Sequence, residues 1–138
     1  MTAITKYPVD PEHDALYRGD PQSIGVTIKT NTGTDDTPVW TPRSLAGTHW
    51  RAHVRSSEDG TLLCKWTVTV LEDEPGATSA DEGKLLLSML DTTSRLLRNG
   101  CMWDLEEIDN PADDETTHSL GTYWKVKSAK VIGDVSHG

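Results

Sequence analysis

His49 and His53 stand four residues apart, the first spacing in this chain that could do chemistry. On a helix that offset would set both imidazoles on one face, the arrangement zinc proteases use. Here Trp50-Arg51-Ala52 lies between them and alternates as a strand does, which separates the rings by about 13 Å, too far for one metal ion. The acidic runs Glu72-Asp73-Glu74 and Asp113-Asp114-Glu115 offer oxygens of the kind calcium takes. Neither sets them at the offsets, with a glycine turn, that a calcium loop requires, so both are expected as solvated loops. Glu106 and Glu107 are adjacent, and neighbours on a strand point to opposite faces, so they do not flank one bond as paired glycosidase carboxylates do. There is no G-x-S-x-G elbow and no glycine-rich phosphate loop. Cys64 and Cys101 sit in apolar strand patterns without histidine pairs beside them. A disulfide between them across the sandwich is geometrically possible, but in a reducing compartment they are expected as free buried thiols, and they make no zinc framework. The expectation is a protein without catalytic residues, metal or cofactor.

Arg51, His53, Arg55 and Lys65 remain. Alternation places the first three on one face of a strand and Lys65 on the next, so they form either a solvated face or a contact surface for an acidic partner. Arg18-Gly19-Asp20 spells an adhesion tripeptide but reads more simply as a strand end running into a turn.

The 138 residues, 35% hydrophobic and 25% charged, are expected to form one domain. The net charge of −9 works against phosphate neutralisation and against anionic membranes, so neither nucleic acid nor membrane is an expected partner. No run reaches the length of a membrane-spanning helix, and MTAITKYPVD lacks the apolar core of a signal peptide. The five Trp residues suit a core or an interface.

The elements that must position these groups follow from the apolar rhythm. Residues 1–14 read as an extended arm, and residues 15–138 as a single β-domain. Ala15 to Arg18 reads as a short strand. Ile24, Val26 and Ile28 mark a half-buried strand, followed by a polar turn over 31–37 and an irregular crossover from Val39 to Gly47. Trp50, Ala52 and Val54 share a core face. Leu62, Cys64, Trp66, Val68 and Val70 form the next, across a Glu58-Asp59-Gly60 hairpin turn. Glu72 to Glu82 reads as a flexible acidic loop, a poor candidate for buried structure. Leu85, Leu87 and Met89 make another core face. Asp91 is expected to cap a short helix whose Leu96 and Leu97 pack inward and whose stop is Gly100. Cys101, Trp103 and Leu105, then 120–127 and 130–135, complete the sheet. The class is all-β: an immunoglobulin-like antiparallel β-sandwich with one short helix.

The order of these segments resembles a family of phage virion β-sandwich domains, those of lower tail fibre proteins and the N-terminal domain of upper baseplate proteins. The resemblance rests on Tyr17-Arg18-Gly19-Asp20 with Ile24-Gly25-Val26-Thr27-Ile28, on Trp50-Arg51-Ala52-His53-Val54-Arg55, and on Gly83-Lys84-Leu85-Leu86-Leu87-Ser88 leading through Asp91-Thr92 to Leu96-Leu97. Gly100, Trp103-Asp104-Leu105 and Asp134-Val135-Ser136 close it. It implies a virion protein, assembled in the host cytoplasm. Its partners would be other copies of itself and either the major capsid protein or tail and baseplate proteins. Trp40 and Trp124, least tied to a core pattern, are the expected docking anchors, with Arg51, His53 and Arg55 as further contact candidates. A rival reading is a carbohydrate-binding module with Trp40, Trp66 and Trp103 along one groove. A hydrolase is the weaker rival.

Overall fold

A computed structural model describes residues 16–133. The expected arm over 1–14 and the closing Asp134-Val135-Ser136 lie outside them. The described chain is all-β, a sandwich-like antiparallel fold with one short helix. Its strands are β1 (Leu16–Tyr17), β2 (Gln22–Thr27), β3 (Lys29–Asn31), β4 (Trp40–Pro42), β5 (His49–Arg55), β6 (Leu62–Val70), β7 (Lys84–Met89), β8 (Met102–Ile108), β9 (Ser119–Val126) and β10 (Val131–Ile132); the helix α1 is Asp91–Ser94. Six of the strands form one curled sheet in the order β2-β7-β6-β5-β8-β9. β3 and β4 make a small hairpin, and β1 pairs with β10 in parallel.

The two-residue rhythm decides which face is covered. Ile24 stands opposite Leu87 and Val26 opposite Leu85; Ala52 faces Trp66, and Val54 faces Cys64 on one side and Trp103 on the other. All of these are buried and belong to one cluster, which Leu45 and Leu97 also join. Burying side chains such as Leu85, Leu87 and Leu105, each 0–1% exposed, contributes roughly 1.5–3 kcal/mol apiece. Trp66 lies against Trp103 with ring centroids 5.7 Å apart, and Trp50 meets the edge of Tyr123 at 4.9 Å.

The structure departs from the sequence reading at several places, each for a local reason. Leu62 is 39% exposed because the β5–β6 register slips at Arg55, which pairs with Leu62 while Leu63 drops towards the core. One extra residue reverses the phase of everything beyond it. Leu96 is 46% exposed, whereas Leu97 is fully buried; on so short a helical turn only one of two neighbours faces the core. Asp91 opens the helix as its first residue instead of capping it, and Leu90 precedes it with no side-chain cap. The crossover is not irregular throughout. Trp40 to Pro42 pairs with Lys29 to Asn31, and the Asn31 Oδ1 accepts from the amides of Gly33 and Val39 to fix the hairpin.

The acidic loop after β6 buries none of its residues, as expected, but hydrogen bonds tie it to its surroundings. The Glu72 carboxylate accepts from the Leu45 amide at 2.6 Å, the Gly83 amide at 2.9 Å and the Ser44 hydroxyl at 3.0 Å. Asp73 accepts from the Gly47 amide, and Thr78 and Asp81 close a capping box. Glu72 thus pins Leu45 as a plug over one end of the core. Gly83 has φ +80°, and a Cβ there would lie 2.8 Å from the Ile28 carbonyl oxygen, so only glycine lets the two backbones meet.

Candidate interaction surface

The outer face of β5 carries Arg51, His53 and Arg55, as alternation demands, and each is half-buried. The acid that answers them comes from the loop joining β8 to β9. Asp113 has φ +51°, a left-handed backbone that Asp tolerates better than most residues, and this turns its carboxylate onto the sheet. Its Oδ1 accepts from Arg51 Nη1 at 3.0 Å. Its Oδ2 lies 2.8 Å from His53 Nε2 and accepts from Lys65 Nζ at 3.0 Å. Arg51 also reaches Glu106, its cross-strand neighbour, at 3.2 Å. Burial alone would push the Asp113 carboxyl up; the bonds from His53, Lys65 and Arg51 outweigh it and hold the group well below the usual carboxylate range. Asp113 is therefore no solvated loop acid; it engages the partly buried Arg51 and His53, while Lys65 joins it from an exposed side chain. Arg55 stands apart, opposite Leu62 and Met102.

A second ion cluster holds the inner side. Glu107, facing inward one residue on from Glu106, takes Arg43 in a bidentate pair at 2.8 and 3.0 Å, and the Tyr123 hydroxyl donates to it at 3.0 Å. The expectation that the two glutamates face opposite ways is met. Burial and then the Glu107 charge push the Tyr123 hydroxyl up to about 12, while Arg43 keeps Glu107 ionised against its own burial. Sequence reasoning missed this cluster. The signal was a carboxylate in the same inward phase as Trp103 and Leu105, a position that demands a charged partner. The partner, Arg43, lies 64 residues away in the crossover. Asp104, across from Lys125 on the outer face, has its carboxyl pushed up, by burial first and then by the Glu106 charge, because no bond outweighs them; its Oδ1 has no partner among the described residues.

The remaining candidates separate. His49 lies opposite Ile108, while His53 is bonded to Asp113, so the two imidazoles serve different surroundings. Among the described residues no group of three His, Cys, Asp or Glu side chains could hold a metal. Cys64 and Cys101 are buried and unbridged, and burial pushes the Cys64 thiol up to about 11. Arg18-Gly19-Asp20 is a turn whose Gly19 amide donates to the buried Ser94 hydroxyl. Trp40 is half-buried on β4; Trp124, on β9, packs against the core with its indole N–H shielded. Trp66 and Trp103 are 4% and 2% exposed, so the groove of three tryptophans imagined for a carbohydrate-binding module does not exist.

The two sides of the sheet end in β2 and β9, and among the described residues no further strand pairs with either. They differ in kind. The β8–β9 ladder is broken by two register shifts and carries Lys125. The β2–β7 ladder runs unbroken over six pairs, from Gln22–Met89 to Thr27–Lys84. No protein-family model and no curated protein matches this chain.

Proposed function

We propose that this chain is a non-enzymatic accessory structural protein of a tailed-phage virion, docking onto other virion proteins as a capsid decoration or minor capsid protein, or as a minor tail or baseplate protein. The observation that carries the reading is a sheet whose end strands, β2 and β9, pair with no further strand among the described residues, tied together by ion networks on both faces. An open edge accepts a neighbour's strand through backbone hydrogen bonds, and a rigid plate loses little entropy when it docks. The class of neighbour rests on the resemblance of the segment order to phage virion β-sandwich domains. The ionisable clusters support the same reading. Arg51, His53, Lys65 and Asp113 are engaged with one another, as are Arg43, Glu107 and Tyr123, so their chemistry goes into holding the plate together.

The test is mass spectrometry of particles purified from cells that make this chain, with the half-buried Trp40 as the side chain to vary. The expected result is peptides of this chain at fixed stoichiometry to a capsid or tail protein, and reduced incorporation of a Trp40→Ala variant that still folds. Particles lacking the chain would overturn the assignment. Undiminished incorporation of Trp40→Ala would remove that residue as an anchor.

A further inference from the structure

We propose that β2 is a self-association edge. A second copy of this chain lays its own β2 antiparallel against it about a two-fold axis, joining two six-stranded sheets into one. The inference rests on the docking reading above only in treating an open sheet edge as a contact surface.

Exposed edges are normally blunted by lysine, proline, bulges or short length, because a row of unpaired amides and carbonyls invites another strand. β9 carries such protection: two register shifts in its ladder, and Lys125. β2 has none of it. Its sequence, QSIGVT, holds no charge and no proline, and its ladder with β7 is regular along about 20 Å. The outer face behind it is neutral apart from Lys84 at its end. Ser23 lies beside Ser88, which lies beside Thr67; Gly25 lies beside Leu86, which lies beside Thr69. At one end of this face Pro21 and Leu90 line a shallow depression with Ser23 and Ser88, and Leu90 is 68% exposed.

Charge argues for a like copy as the occupant. The chain carries −9, so two copies repel over most approaches. Along β2 and the face behind it the one ionisable side chain in the ladder is Lys84, opposite Thr27, and it is a cation. Two acidic copies meet there without a carboxylate from β2 or β7 on either side. A two-fold axis sets the same small neutral residues on both sides, so the surface is self-complementary. One six-residue strand per copy buries little area, which makes the contact weak and reversible in isolation and suited to reinforcement when copies are held side by side.

The experiment uses the isolated full chain, so its failure is distinct from failure to enter a particle. Sedimentation velocity over about 1–200 μM is expected to show a reversible monomer–dimer equilibrium. Hydrogen exchange at the two ends of that range is expected to show added protection of the 22–27 amides, with 119–126 unchanged. Ser23→Glu, at an exposed position, is expected to raise the dimer dissociation constant at least tenfold, whereas Leu120→Glu on β9 leaves it unchanged. A wild-type chain that stays monomeric throughout, protection that appears on 119–126 instead, or dimerisation lost through Leu120→Glu but not Ser23→Glu would each overturn the proposal.

Discussion

Replacing Asp113 by Asn removes the charge that ties the β8–β9 loop to the sheet while keeping the shape of the side chain. Asn tolerates the left-handed backbone at φ +51° as well as Asp does, so the substitution tests charge without adding strain. The contacts with Arg51 and His53 join partners whose side chains are 12–20% exposed, and each is worth about 1 kcal/mol. The contact with Lys65, whose side chain is 48% exposed, adds no more than about 0.5 kcal/mol. Arg51 keeps Glu106 and so is not stranded. The expected loss is about 1.5–2.5 kcal/mol at pH 7, or a fall in Tm of roughly 6–10 °C for a chain of this size. The pH dependence separates this from a packing defect. The folded-state carboxyl titrates below its ordinary value, so its contribution is complete above the unfolded value of about 3.9 and is lost as the pH falls through the folded one. Urea denaturation followed by tryptophan fluorescence at pH 7, 5, 4 and 3 should show a constant gap between wild type and Asp113→Asn down to about pH 5, narrowing below pH 4. A variant as stable as wild type at pH 7, or a gap that stays constant down to pH 3, would refute the account of Asp113 as the clamp.

Arg43→Ala leaves Glu107, whose side chain is 10% exposed, as an uncompensated buried charge and is expected to cost about 3–4 kcal/mol in urea melts. The double variant Arg43→Met/Glu107→Leu should recover at least half of that, and no recovery would show that the loss is packing alone. Glu72→Ala strands the Leu45 and Gly83 amides. Limited proteolysis should then cut within 71–83, which the wild-type chain resists, alongside a stability loss of about 1–3 kcal/mol. At pH 8 the Cys64 thiol, raised to about 11, should react with a disulfide reagent roughly a hundredfold more slowly in the folded chain than in urea; equal rates would contradict its burial.

The chain order alone settled a good deal. Alternation fixed which of Trp50 to Arg55 turn inward, because side chains on a strand have a period of two whatever they pair with. Asp59-Gly60 marked the β5–β6 hairpin, a signal carried by backbone sterics within a few residues; Gly100, expected as the stop of the helix, instead lies in a separate turn beyond the Arg95 C-cap, where its amide donates to the Ala129 carbonyl. The opposed directions of Glu106 and Glu107 followed from the same local rule. What each of them meets did not. Asp113 lies 48 to 62 residues from the three side chains it binds, and nothing in its own neighbourhood distinguishes it from Asp114, which only caps its own loop through Thr116. The slip at Leu63 was hidden because an extra residue keeps the hydrophobic pattern readable while shifting its phase. Strand order, and with it the identity of β2 and β9 as the end strands of the described sheet, depends on how the whole sheet closes over one core. Apolar alternation constrains each strand's two faces and leaves its two sides unspecified, so only the tertiary structure could decide which strands pair on both sides and which on one.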